Sequence, residues 1–194
     1  MKIAIITGAS SGMGREFVKQ VSKKEKFDEI WVIARRKEAL ERLKSEVKAK
    51  LRPLVLDLKN PESFEIYKKL LAKEKPEVAL LGNIAGYGKF GRYDQISLED
   101  SLGMIDLNCK ALVAMTQLTL PYMKRGSKIL QLDSLSAFQP VPYLNVYGSS
   151  KSFVFLANLL MDSTITVSPR LTYSSIFLSC GLSLFLPLIL SIYT

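Results

Sequence analysis

Thr7-Gly8-Ala9-Ser10-Ser11-Gly12-Met13-Gly14 closes a short apolar run at residues 3–7 and opens a helical pattern over 12–24, with Phe17, Val18 and Val21 inward. An unbroken apolar, β-branched run suits a strand buried on both faces of a sheet. Glycines at its end let the chain turn sharply and bring backbone close to a pyrophosphate. The helix behind them offers free N–H groups and the positive end of a dipole. A plain strand–helix turn is the alternative. The position directly between a buried strand and a helix favours dinucleotide binding, carried by Gly8, Ser10, Ser11, Gly12, Met13 and Gly14.

Outward from this loop, strand patterns at 30–34, 51–56, 77–81 and 128–132 alternate with helical ones. The helical stretches run over 37–50, onward from Asn60-Pro61-Glu62, from 97 to about 121 with a break near Asn108, and again from 143. Asn60 is a capping residue, Pro61 suits the first helical position, and an acid follows. Such alternation predicts βαβ units and an α/β fold with a doubly wound parallel sheet. The end of the second strand selects the dinucleotide. An acid there would bind the ribose hydroxyls of NAD, whereas this chain has Ala34-Arg35-Arg36. Two guanidinium groups can pair with a 2′-phosphate, so NADP(H) is favoured over NAD(H). Their other reading is the solvated start of a helix.

The chain has 194 residues, 48% hydrophobic and 23% charged, which suits one globular domain with a real core. Its net charge of +9 is spread over several helical segments and mixed with glutamate. That pattern fits a solvated surface and an anionic cofactor better than nucleic acid. There is no histidine, which removes Ser-His-Asp and Cys-His catalysis and histidine metal sites. Cys109 and Cys180 give neither a metal spacing nor a disulfide framework. A reducing cytoplasm is expected, no metal is expected, and the apolar run at the N-terminus is too short for a signal peptide.

Tyr147 and Lys151 are four residues apart, one helical turn, so both heads can meet over a single site. A tyrosine ordinarily loses its proton near pH 10. A neighbouring ammonium favours the phenolate and makes the phenol a usable proton donor or acceptor. Alone, such a pair is more often surface decoration.

Together these residues resemble the short-chain dehydrogenase/reductase family. The family's Thr-Gly-x-x-x-Gly-x-Gly loop is matched by Thr7 to Gly14, and its Asn-Asn-Ala-Gly element by Asn83-Ile84-Ala85-Gly86, with isoleucine for the second asparagine. The resemblance implies a Rossmann fold and further cofactor contacts from Asp57 after strand three, and from Asn83, Ala85 and Gly86. It implies a catalytic set of Asn108, Ser134, Tyr147 and Lys151, with Ser136 a weaker substitute for Ser134. In that reading the tyrosine exchanges a proton with a small-molecule carbonyl or alcohol while hydride passes to or from NADP(H). The serine holds the substrate oxygen. The lysine lowers the tyrosine pKa and grips the nicotinamide ribose, and the asparagine positions a relay water. The family's habit of pairing through its central and tyrosine helices implies a homodimer or homotetramer.

The resemblance covers about residues 1–160, expected to form an NADP-binding domain, and leaves 161–194 as an atypical apolar tail. Met161-Asp162-Ser163-Thr164 reads as an interruption of the tyrosine helix. Residues 165–170 only loosely resemble a sixth strand and its turn, and no counterpart of a substrate lid follows. The final strands are therefore expected to be missing or altered. Residues 171–194 carry no charge and are long enough to cross a bilayer, though five serines and Pro187 suit that poorly. A truncated or frame-altered C-terminus is the favoured reading; a membrane anchor and a packed apolar segment are the others. The function expected is carbonyl–alcohol redox with NADP(H). A dinucleotide-binding protein without catalysis is the alternative, and a chain unable to fold stably is the third reading.

Overall fold

The computed structural model describes residues 1–164 and 172–177, with side chains described to residue 158. Six parallel strands form one sheet: β1 (Lys2–Thr7), β2 (Glu29–Ala34), β3 (Leu51–Val55), β4 (Glu77–Asn83), β5 (Met123–Asp133) and β6 (Thr172–Phe177), in the order β3-β2-β1-β4-β5-β6. The order reverses beside β1, between β2 and β4. A crevice at such a switch point, outside the carboxyl ends of the strands, is where doubly wound sheets bind ligands.

Helices cover both faces: α1 (Gly12–Lys24), α2 (Lys37–Glu46), α3 (Pro61–Glu74), α4 (Leu98–Ile105), α5 (Ala111–Thr119) and α6 (Asn145–Thr164). Two cores result. Ala4, Ile6, Val32, Leu80, Leu130 and Leu132 meet Phe17, Val18 and Val21 of α1 and Leu40 and Leu43 of α2. Ile3, Ile5, Trp31, Ile33, Leu81 and Ile129 meet Tyr67 and Leu71 of α3 and Ala111 and Met115 of α5. Alternate residues of one strand face opposite cores because the side-chain period is two. Burying each large apolar side chain contributes about 1.5–3 kcal/mol.

The helix starts follow the sequence. Asn60 Oδ1 accepts the Glu62 N–H at 3.0 Å, and Ser97 Oγ accepts the Asp100 N–H at 3.0 Å, each satisfying an end donor. The expected break near Asn108 is instead one π-helical turn, Asp106–Lys110, that joins α4 to α5 without interrupting the helix.

One expectation about the C-terminal part is corrected, and the altered last strand is located. Residues 161–164 do not interrupt the tyrosine helix, since α6 runs to Thr164. Asp, Ser and Thr each cost under about 0.7 kcal/mol in a helix, too little to stop one already propagating. A sixth strand also exists, at Thr172–Phe177, inside the uncharged tail. Its register runs from Lys128↔Thr172 to Asp133↔Phe177. The edge of β5 needs a backbone partner, and Thr-Tyr-Ser-Ser-Ile-Phe is rich in β-branched and aromatic residues. The loose strand-six reading at 165–170 lies outside the described residues, as does 178–194. Among the described residues no helix is long and apolar enough to cross a membrane.

Candidate functional site

A cavity of about 430 Å³ opens at the switch point. Its floor is the glycine loop, Gly8 and Ser10 to Gly14, and its sides include Arg35, Arg36, Asp57, Ala85, Gly86, Tyr147 and Lys151. The loop's shape depends on missing side chains. Gly8 has φ 70°, in the left-handed region, and a Cβ there would stand 2.9 Å from Ala85 Cα. A Cβ on Gly14 would collide with the Gly8 carbonyl oxygen. Ser11, the N-cap of α1, makes no side-chain cap bond, and the first turn carries no acid. The first N–H groups of α1 therefore stay available to an anion beside the cavity. This backbone cradle fits a pyrophosphate.

Arg36 Nη2 donates to Ser10 Oγ at 3.2 Å, which brings its guanidinium back over the loop. Arg35 Nη1 lies 3.9 Å from Asp57 Oδ2. Asp57 is also committed to its own turn, accepting the Lys59 N–H at 3.0 Å and, through its carbonyl, the Ser63 hydroxyl at 2.7 Å. Two exposed guanidinium groups, one beside Asp57 and one over Ser10, therefore flank this end of the cavity.

At the other end of the cavity, Tyr147 and Lys151 project from α6. The Lys151 ammonium lies 5.7 Å from the Tyr147 ring centroid and donates to the Leu132 carbonyl at 2.7 Å. Burial pushes the Lys151 ammonium below its ordinary pKa, while the charges of Asp133 and Cys109 oppose that shift. Asn108 sits in the π-helical turn and is buried. Its Oδ1 accepts the Tyr87 N–H at 3.0 Å, and its Nδ2 donates to the Tyr87 carbonyl and to Ser150 Oγ, each at 2.9 Å. Ser150 in turn donates to the Tyr147 carbonyl at 2.7 Å. A chain of hydrogen bonds thus ties the π turn to the first turn of α6.

Ser134 and Asn108 lie beyond the cavity wall proper. Ser134 directly follows β5 and caps a 3₁₀ turn, Leu135–Ala137, accepting the Ser136 N–H at 3.3 Å. The Ser136 hydroxyl also bonds Ser134 Oγ, at 3.0 Å, so the two candidate serines form one unit. Asn83 points away from the cavity into the protein, where its Nδ2 donates to Thr116 Oγ1 at 2.9 Å.

Four further residues shape the site. The Thr7 hydroxyl accepts the Ile84 and Ala85 N–H groups at 2.9 and 3.0 Å and donates to the Gly82 carbonyl at 3.3 Å, locking the end of β4 to β1. Gly88 gives room for the Tyr147 ring, because a Cβ there would stand 2.7 Å from ring Cδ2. Tyr87 supplies both backbone partners of Asn108, and Asp133 is buried beside Lys151. Thr7 opens the glycine-loop motif, and the glycine-rich run after strand four hints at Gly88; nothing in the pattern of residue types marks Tyr87 or Asp133 as partners.

A family model described as short chain dehydrogenase matches residues 2–164. The NADP-dependent 3-hydroxy acid dehydrogenase YdfG of Escherichia coli is 34% identical over 169 residues, covering 82% of this chain and 66% of that one. The very-long-chain 3-oxoacyl-CoA reductase of Homo sapiens is 31% identical over 161 residues, covering 78% of this chain and 50% of that one. Among solved structures, the closed form of serine dehydrogenase complexed with NADP+ superposes with TM-score 0.78 at 29% identity, over 91% of this chain and 72% of that one. The chain thus spans between half and about two thirds of the length of the curated relatives it matches.

Proposed function

The chain belongs to the short-chain dehydrogenase/reductase family, and from that premise we propose that it is an NADP(H)-dependent oxidoreductase interconverting a carbonyl and an alcohol. The observation that carries the reading is one cavity shared by the glycine loop and Arg36 at one end and by Tyr147 and Lys151 at the other. When bound, the cofactor supplies or accepts the hydride. The chain's own residues bind, orient and move a proton. Gly8 to Gly14 and the start of α1 take the pyrophosphate, while Arg35 and Arg36 take the 2′-phosphate. Ala85 and Gly86 form the wall next to the nicotinamide end; Asn83 supports that wall from within.

Tyr147 gives its phenolic proton to the carbonyl oxygen or takes one from the alcohol. The Lys151 cation beside it favours the phenolate and makes that exchange available near neutrality. Ser134, with Ser136 bonded to it, orients the substrate oxygen. Asn108 holds the Tyr87 backbone and, through Ser150, the turn that carries Tyr147. The names of relatives support carbonyl–alcohol chemistry and NADP: one is a reductase of 3-oxoacyl-CoA, another an NADP-dependent 3-hydroxy acid dehydrogenase. Leu102 and Ile105 on α4, with Phe153 and Leu156 on α6, expose large apolar side chains on neighbouring helices. They support self-association as a homodimer or homotetramer.

The test is NADPH oxidation over a panel of ketones, aldehydes and 3-oxo compounds. Turnover is expected, and Tyr147→Phe should lower it about 100- to 10,000-fold. Activity unchanged in Tyr147→Phe would sink the assignment. Tight NADPH binding without turnover would leave dinucleotide binding as the function.

A further inference from the structure

Asp133 ends β5 one residue before Ser134 and is 3% exposed. Its Oδ1 accepts the Ser134 N–H at 2.8 Å, whereas its buried Oδ2 accepts no hydrogen bond from the described residues. A carboxylate so placed is costly unless a nearby charge compensates it. Burial indeed pushes the Asp133 carboxyl up, with the Ser134 N–H and the Lys151 charge acting the other way.

The compensating group is close in the chain path. Lys151 is 4% exposed, and its ammonium is anchored to the carbonyl of Leu132, the residue directly before Asp133. Three titratable groups face Lys151 from the elements packed around it. These are Asp133 on β5, Cys109 in the π-helical turn and Tyr147 on its own helix. Burial pushes the Cys109 thiol up, which keeps it neutral. Tyr147 is useful to the reaction only if it can hold its proton. Asp133 is therefore the group left to balance the Lys151 cation.

We propose that Asp133 is a positioning residue of the reaction centre: one carboxylate oxygen fixes the backbone at Ser134, and the charge of the whole group keeps Lys151 an ammonium. The inference rests on the redox reading above. A neutral amine at Lys151 could not favour the Tyr147 phenolate, so the effect of Asp133 reaches the substrate through two residues. A merely structural acceptor at the strand end would serve equally well as an amide or a hydroxyl.

The experiment follows Lys151 in the whole chain, labelled with ¹³C at lysine Cε and titrated by NMR, its resonance identified by loss in Lys151→Met. Asp133→Asn should lower the midpoint of Lys151 by about one pH unit or more. Asp133→Ser, which keeps an acceptor for Ser134 and removes the charge, should do the same and decides the matter if the asparagine variant does not fold. A midpoint unmoved by loss of the charge overturns the proposal. In turnover assays Asp133→Asn should lower kcat most at the alkaline end and approach the parent as pH falls and Lys151 regains its proton. A kcat lowered equally at every pH is the mark of a structural role and also overturns it. The titration needs neither cofactor nor substrate, so a parent chain without turnover would remove the redox reading while the Asp133–Lys151 coupling is still decided by the midpoint.

Discussion

The two halves of the sheet are built from different materials. On the cofactor side, β1 to β3 with α1 and α2, the strands are apolar and the ligand surface is backbone. Glycines touch backbone at Gly8 and Gly14, and Thr7 and Glu29 are the buried polar residues of those strands. On the side proposed for the reaction, β4 and β5 carry Asn83, Gln131 and Asp133 into the interior, where the helices bring Asn108, Thr116, Ser150 and Lys151. Among the described residues, Asn83 Oδ1, Gln131 Oε1 and Asp133 Oδ2 are buried there without a hydrogen bond. A dinucleotide site asks for shape, which packing supplies at little cost. The proton transfer proposed above asks for polar groups held out of water, where each unpartnered atom is costly.

Three substitutions test that division on the cofactor side, in falling order of effect. Gly14→Ala drives a methyl into the Gly8 carbonyl, backbone against backbone, so the loop has to move. A displacement of that size should weaken NADPH binding about 100-fold, read by fluorescence titration, with the melt still cooperative. Unaltered affinity would mean that the loop is not the cradle. Arg36→Ala removes the guanidinium held over Ser10. It should weaken NADPH about 10-fold and leave NADH unchanged, since one charge-assisted contact contributes about 1.5–3 kcal/mol. Equal losses for both cofactors would break the 2′-phosphate assignment.

The smallest effect concerns stability. Burial alone would push Glu29 up, but hydrogen bonds from Lys50 and Trp31, and the charges of Lys50 and Arg52, hold it below the ordinary carboxylate value. A depressed carboxylate stabilises the fold above its unfolded pKa and loses that contribution as pH falls through its folded pKa. Glu29→Gln should therefore cost about 1 kcal/mol at pH 7 and nothing near pH 2, measured by urea unfolding at both. A difference that persists in acid would trace the effect to packing instead of charge.

The same division explains what could be read from the residues alone. β1 from Ile3 onward and β2 from Ile30 onward are buried and appear as apolar runs, and the glycine loop appears as glycines, because each is specified by local chemistry. Tyr147 and Lys151 are visible as a helical spacing. The contacts that hold them are not: Asn108 with Tyr87, Asn108 with Ser150 and Lys151 with the Leu132 carbonyl span 21, 42 and 19 residues, pairings that no local period encodes. Asp133 reads as the polar end of an apolar run. β6 is less legible for a different reason: it pairs with β5 through backbone donors and acceptors, inside a tail that is uncharged throughout and so has no polar boundary to mark a strand.

The π-helical turn at Asp106–Lys110 has a consequence for how this chain tolerates change in length. Its closing bond, Ala111 N–H to the Asp106 carbonyl, spans five residues where an α-helix spans four. The turn is thus one residue of surplus, kept in the middle of a continuous helix. Deleting a single residue there would let the helix close as an α-helix, four steps of about 100° doing the work of five in the wide turn, and would leave α5 close to its present phase. Ala111, Met115 and Thr119 would keep their buried positions. Elsewhere in the helix the loss of one residue would rotate everything after it by about 100°; here the wide turn is the one place where the count can fall by one and the packing of α5 survive.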